Sequence, residues 1–104
     1  MSRVELLWWE GCPSTDKALT ILRDVLGDEG HDPDAVVMRE VRTEDEAESE
    51  RFVGSPTIRI DGVEVAPVED EPTGLTCRVY RLRDGRISPT PDPEDIRDAI
   101  RRAA

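Results

Sequence analysis

The sequence predicts a single α/β domain built on a mixed sheet, and three observations predict it. A strand, a helix and a second strand can be read in order between Arg3 and Val41, the pattern of a βαβ unit with parallel strands and a right-handed crossover. The segment Thr57-Ile58-Arg59-Ile60-Asp61-Gly62-Val63-Glu64-Val65 reads as an antiparallel hairpin, because Asp-Gly suits a two-residue turn that needs positive φ. Asp92-Pro93-Glu94-Asp95 then opens a final amphipathic helix. A chain of 104 residues can bury one such core and is too short for two.

In residues 3–9, Val4, Leu6 and Trp8 alternate with more solvent-tolerant neighbours, and Leu7 adds an apolar residue to the other face, as in a central strand. Pro13 to about Leu26 is expected to be helical. Proline suits its first position, Asp16 its first turn, and Ala18, Leu19, Leu22, Val25 and Leu26 form one apolar stripe that Gly27 and Gly30 should end. Residues 27–35 form an acidic loop, and Val36 to Val41 the second strand. Thr43-Glu44-Asp45-Glu46 has the form of a capping box, with Glu46 reaching back from a short helix that runs to about Arg51. Gly54-Ser55-Pro56-Thr57 is a turn into the hairpin, and residues 66–76 are an acidic loop with two prolines. Cys77 to Leu82 is a candidate extra strand closed by Asp84-Gly85. In the last helix Asp92 is the N-cap, Ile96, Ala99, Ile100 and Ala103 form the buried stripe, and Arg101 and Arg102 suit the C-terminal end.

The formal net charge is −10, from 24 acidic and 14 basic residues, which argues against nucleic-acid and anionic-membrane partners. No apolar run approaches the roughly 20 residues that span a bilayer. Met1-Ser2-Arg3-Val4 does not open a signal peptide. A cytoplasmic location is therefore expected, where two cysteines are free, redox-cycling or metal-binding more often than a permanent disulfide.

Cys12 is the leading candidate for chemistry. It lies between an apolar strand and a helix start, close to unpaired helix N–H groups and the positive end of the helix dipole, which favour a thiolate, the form that attacks and binds metal. The alternative is a half-buried cysteine kept for packing. Cys77 has three readings: it resolves a mixed disulfide or sulfenic acid on Cys12, shares a soft metal with it, or is a buried apolar cysteine alternating with Val79. One of Trp8 and Trp9 should pack in the core, and the other can line a groove beside the thiol. Asp16 is most simply a first-turn helix residue, and His31 a solvated loop residue.

Trp8-Trp9-Glu10-Gly11-Cys12-Pro13, Val41-Arg42-Thr43-Glu44-Asp45 and Gly54-Ser55-Pro56-Thr57 occur in the order and spacing of the thioredoxin-like superfamily, which the chain resembles over nearly its whole length. With Leu75-Thr76-Cys77-Arg78-Val79-Tyr80, it looks like small bacterial thioredoxin-family proteins sometimes labelled alkylmercury-lyase-like. The resemblance implies a three-layer α/β/α fold with a four-stranded mixed sheet, residues 77–82 being a candidate fifth strand. It also implies a cis Pro56 facing Cys12, and substrate contacts at Pro13, Ser55, Pro56 and Trp9. The chain departs from thioredoxins at two positions. Cys12-Pro13-Ser14-Thr15 replaces the two-cysteine motif, and Leu6 stands where thioredoxins bury an acid.

The expected function is monothiol redox or thiol-capture chemistry at Cys12 on a protein or low-molecular-weight thiol or disulfide, without a cofactor. Thr15 would hydrogen-bond the sulfur, as monothiol members of the fold do, and Cys77 would be the resolving thiol. The alternatives are a soft-metal or organomercurial site at Cys12 and Cys77, which Asp16 could assist, and a non-catalytic interaction domain.

Overall fold

A computed structural model describes residues 3–104; Met1 and Ser2, part of the expected leaderless N-terminus, lie outside the described residues. Strands β1 (Val4–Trp8), β2 (Val36–Glu40), β3 (Thr57–Ile60) and β4 (Val63–Glu64) form one sheet in the order β2-β1-β3-β4. β1 and β2 are parallel, Val4 opposite Val36, while β3 is antiparallel to both β1 and β4. Helices α1 (Thr15–Asp28), α2 (Glu44–Ser49) and α3 (Pro93–Ala103) complete the α/β architecture. The candidate fifth strand is corrected: β5 (Tyr80–Arg81) pairs with β6 (Ile87–Ser88) in a separate two-stranded hairpin over the Asp84-Gly85 turn. β4 is only two residues long, which leaves little outer edge on which a further strand could register.

Each sheet face has its own core. Val4, Leu6, Ile58 and Ile60 meet Leu22, Val25 and Leu26 of α1 and Ile96 and Ile100 of α3. On the other face Leu7 packs with Val41, Ala47 and Phe52, next to α2. The alternation in β1 sends Val4 and Leu6 one way and Leu7 the other, so this central strand is apolar on both faces. Glu5, read from sequence as solvent-tolerant, is only 5% exposed. It pairs with Arg39 at 2.8 Å and Arg3 at 3.2 Å, as a buried carboxylate requires close cationic partners.

Helix ends follow local chemistry. α1 runs through Gly27, which has no space constraint, and ends instead at Gly30 (φ 79°), where Gly30 N–H bonds Gly27 O and His31 N–H bonds Leu26 O in a Schellman arrangement. At α2, Thr43 Oγ1 accepts from Glu46 N–H at 3.0 Å, but Glu46 reaches back to Arg42 N–H rather than to the cap itself. The helix stops at Ser49, since Arg51 takes φ 53°. Asp92 caps α3 with one oxygen on Glu94 N–H at 2.9 Å and holds Arg83 N–H with the other at 2.9 Å. Asp92→Ala is therefore expected to lower stability by about 1–2 kcal/mol, with Asp92→Asn intermediate, since its single acceptor oxygen can keep the Glu94 cap but not the Arg83 bond as well. Urea denaturation checks this, and an unchanged midpoint for Asp92→Ala would refute the cap's contribution.

Candidate functional site

The site forms where the Cys12 loop meets the turn before β3. Cys12 N–H bonds Trp9 O at 3.0 Å, closing a turn that tucks Gly11 under the Trp9 indole. A Cβ on Gly11 would sit 2.3 Å from the ring, so only glycine fits beneath it. Ser55–Pro56 is a cis peptide, and Ser55 is fully buried. Two contacts stitch the loops together: Trp9 N–H donates to Ser55 Oγ at 3.1 Å, and the Cys12 thiol donates to Ser55 O at 3.4 Å. Cys12 is 8% exposed.

Cys77 comes to the same place along a different path. The segment Thr76–Arg78 lies alongside Ser55 as a parallel bridge, with Ser55 N–H on Thr76 O and Arg78 N–H on Ser55 O, both at 2.8 Å. Gly54 makes this approach possible: at φ 140°, a Cβ there would be 3.1 Å from the Arg78 backbone nitrogen. Arg78 and Tyr80 point inward at 6% and 5% exposure, whereas Cys77 is exposed and Val79 is 66% exposed. This corrects the reading of Cys77 as a buried apolar cysteine. The alternation with Val79 holds, but it faces outward, because Arg78 finds its partners inside. Arg78 bonds Glu64 at 2.5 Å, Thr57 Oγ1 at 3.1 Å and the carbonyl of Ala66, so its guanidinium ties the two ends of the 66–76 loop together. The Tyr80 hydroxyl donates to the carbonyl of Pro56.

The two cysteines thus converge on Ser55: its carbonyl accepts from the Cys12 thiol, and Cys77 lies on the segment bridged to it. Partial burial, followed by the interaction with neighbouring Cys12, pushes the Cys77 thiol up from its ordinary value. Both cysteines are free thiols. Such a pair can close into a disulfide, pass a disulfide on, or grip a thiophilic metal. Among the described residues no group of three or more His, Cys, Asp and Glu is placed to hold a metal ion.

Beside Cys12 opens a cleft of about 330 Å³, lined by Trp8, Glu10, Pro13, Thr15, Asp16 and Met38. Three expectations are corrected here. Trp8 lines this cleft, while Trp9 covers Gly11 and packs against the second core. Thr15 Oγ1 is buried without a hydrogen-bond partner among the described residues, so it does not hold the sulfur; Ser55 O accepts from the thiol instead. Helix α1 begins at Thr15 with Ser14 as N-cap, so Cys12 lies two residues before the cap and Pro13 is outside the helix. The proline nitrogen carries no hydrogen, and the Trp9–Cys12 turn precedes it, so the chain enters the helix later than the residue types suggest. Pro13 nevertheless lines the cleft, whereas Ser55 and Pro56 are buried behind it, Ser55 touching the site through its carbonyl on the Cys12 thiol.

Arg78 and Tyr80 are the site residues that sequence reading passed over. An arginine on the inward side of a two-residue alternation is the signal, since a buried guanidinium requires a carboxylate partner. No helix among the described residues is long and apolar enough to cross a membrane. Comparison with known proteins gives no match: no family model, no curated protein and no solved structure is similar to the chain.

Proposed function

We propose that this chain is a thioredoxin-like thiol–disulfide redox or thiol-capture protein that works on cytoplasmic thiols or disulfides. Cys12 is the attacking thiol and Cys77 the resolving one. The observation that carries this reading is the meeting of Cys12 and Cys77 across Ser55, beside a cis proline that opens the central hairpin. The parallel β1–α1–β2 unit followed by the antiparallel β3–β4 hairpin supports the thioredoxin-like assignment.

With a disulfide substrate, the Cys12 thiolate attacks one sulfur, a mixed disulfide forms and one thiolate leaves. Cys77 then gives up its proton, attacks the Cys12 sulfur and releases the second thiol. The substrate gains two electrons, and the cysteine pair loses them. Cys12 opens on the cleft where a substrate enters, and Cys77, on the segment bridged to Ser55, is placed to take the second step.

Mild peroxide treatment of the reduced chain, followed by peptide mapping, tests this. Peroxide converts Cys12 to a sulfenic acid, and Cys77 displaces water from it to form the disulfide. An intramolecular Cys12–Cys77 disulfide, reversible by a dithiol and absent in Cys12→Ser and Cys77→Ser, is the expected result. Sulfinate or mixed disulfides on Cys12 alone would refute the pairing.

A second reading has one observation in its favour. Two adjacent thiols, with Asp16 in the cleft beside Cys12, suit a two-coordinate soft ion such as Cu(I) or a mercury species better than tetrahedral zinc. Oxidation confined to Cys12 would remove this reading too, since it needs the same contact.

A further inference from the structure

The edge on which an extended substrate could lie is already occupied by the chain itself. A peptide adds to a sheet edge by pairing with a free backbone N–H and C=O. At Ser55, whose carbonyl accepts from the Cys12 thiol, both groups are taken: the N–H by Thr76 O and the C=O by Arg78 N–H, each at 2.8 Å. The segment is anchored from behind by Arg78 on Glu64 and Ala66 and by Tyr80 on Pro56, so it is a built part of the site. Cys77 thereby stands where the thiol of a bound peptide would stand. The remaining approach to Cys12 is the cleft of about 330 Å³, whose ionisable wall residues besides Cys12 are Glu10 and Asp16, with no Lys or Arg among the lining residues. The chain as a whole carries a formal charge of −10. A cleft whose ionisable wall groups share one sign of charge favours reagents of opposite sign and repels those of the same sign.

Building on the thiol–disulfide reading, we infer that the substrate of Cys12 is a small, non-peptidic disulfide that is cationic or neutral, and that Glu10 and Asp16 select against anionic ones. The cationic disulfide R–S–S–R enters past Trp8 and Met38, and the Cys12 thiolate takes one sulfur. The first RS⁻ leaves through the cleft, and the proton of Cys77 ends on a leaving thiolate when Cys77 closes the internal disulfide. The substrate leaves as one thiol and one thiolate, the latter protonated from water, and the chain ends as the Cys12–Cys77 disulfide, a single stoichiometric reduction that a dithiol reductant must reverse before it can repeat.

The test compares, on the full reduced chain, the rates at which Cys12 reacts with cystamine, bis(2-hydroxyethyl) disulfide, 3,3′-dithiodipropionate and an uncharged linear peptide disulfide. Each rate is normalised to that of a free small thiol. The expected order is cystamine, then the hydroxyethyl compound, then dithiodipropionate, spanning about tenfold or more at low ionic strength and narrowing in high salt. The peptide should lag behind the hydroxyethyl compound. Glu10→Gln/Asp16→Asn should compress the charge order. Asp32→Asn/Asp34→Asn removes two charges from the loop at the far end of α1 and should leave the order in place.

Equal normalised rates for the charged probes would overturn the inference, as would equal compression by the distal pair or a peptide that reacts as fast as the hydroxyethyl compound. All three leave the thiol–disulfide reading standing. A chain whose Cys12 reacts with none of the four would overturn that reading and the inference with it.

Discussion

Replacing Arg78, a buried and ion-paired arginine, with alanine is expected to destabilise the chain by about 2–4 kcal/mol. Removing one member of a buried ion pair costs about 3–5 kcal/mol when the remaining charge stays dry. The discount reflects Glu64, whose side chain is one-fifth exposed and can be partly solvated once its partner is gone. Arg78 also bonds Thr57 Oγ1 and Ala66 O and lies 4.5 Å over the Tyr80 ring, so the substitution loses a fork of hydrogen bonds and a stacking contact as well as a charge. Arg78→Lys keeps the charge without the planar fork and should fall between wild type and alanine. Arg78→Ala/Glu64→Gln should recover part of the loss, because the orphaned carboxylate goes with the arginine. Urea denaturation reads all three. A loss below about 1 kcal/mol for alanine would contradict the buried pairing. Since Arg78 holds the segment that presents Cys77, the alanine chain should also form the Cys12–Cys77 disulfide more slowly under the same oxidant, through loss of preorganisation. Unchanged disulfide formation would show that Cys77 reaches Cys12 without this anchor.

Much of the framework was legible because it rests on local chemistry. Asp61-Gly62 turns the hairpin with φ 51° and 83°, the positive values its residue types favour, and Asp92-Pro93 opens α3 where the cap and the fixed proline φ place it. The strand pattern of β1 announced two covered faces, and both cores are there. What the sequence hid depends on contacts between residues far apart in the chain. Glu5 looks like a surface residue until Arg39 is brought beside it across 34 positions. Cys77 fits a buried strand equally well until Glu64 and Ala66 draw Arg78 inward and leave Cys77 facing Cys12. The start of α1 was misplaced by residue preference alone: Pro13 is a good first helical residue, but the turn closed by Trp9 O holds Cys12 outside the helix. Thr15 shows the same limit, because its hydroxyl has the right spacing for a sulfur contact while the Cys12 thiol is engaged by the Ser55 carbonyl.

Raising the pH should unfold this chain and ionise its single tyrosine in the same step. Tyr80 is 5% exposed, and its hydroxyl donates to the Pro56 carbonyl, an interaction that exists only while the phenol is protonated. Burial is the main cause that pushes the Tyr80 phenol up, the charges of Glu64 and Cys12 add to it, and the Arg78 guanidinium over the ring opposes it. A group whose folded value is raised keeps its proton in the folded state after the unfolded chain would have lost it. Its stabilising contribution is therefore complete below the ordinary phenol value of about 10 and is lost as pH climbs towards the folded value, by up to about 1.4 kcal/mol per pH unit. The raised Cys77 thiol acts in the same direction and begins above its own ordinary value of about 8.5. The folded chain should thus show no tyrosinate absorbance near pH 10. That signal should then appear cooperatively, together with the change in Trp8 and Trp9 fluorescence that reports loss of the core. Cys77→Ser should move the transition to higher pH while leaving the two signals coincident, which separates the thiol from the phenol. A gradual tyrosinate titration centred near the ordinary phenol value, with the tryptophan signal still native, would mean that the Tyr80 hydroxyl is open to water. Its link to the Pro56 carbonyl would then no longer fasten the Cys77 segment to the cis-proline turn.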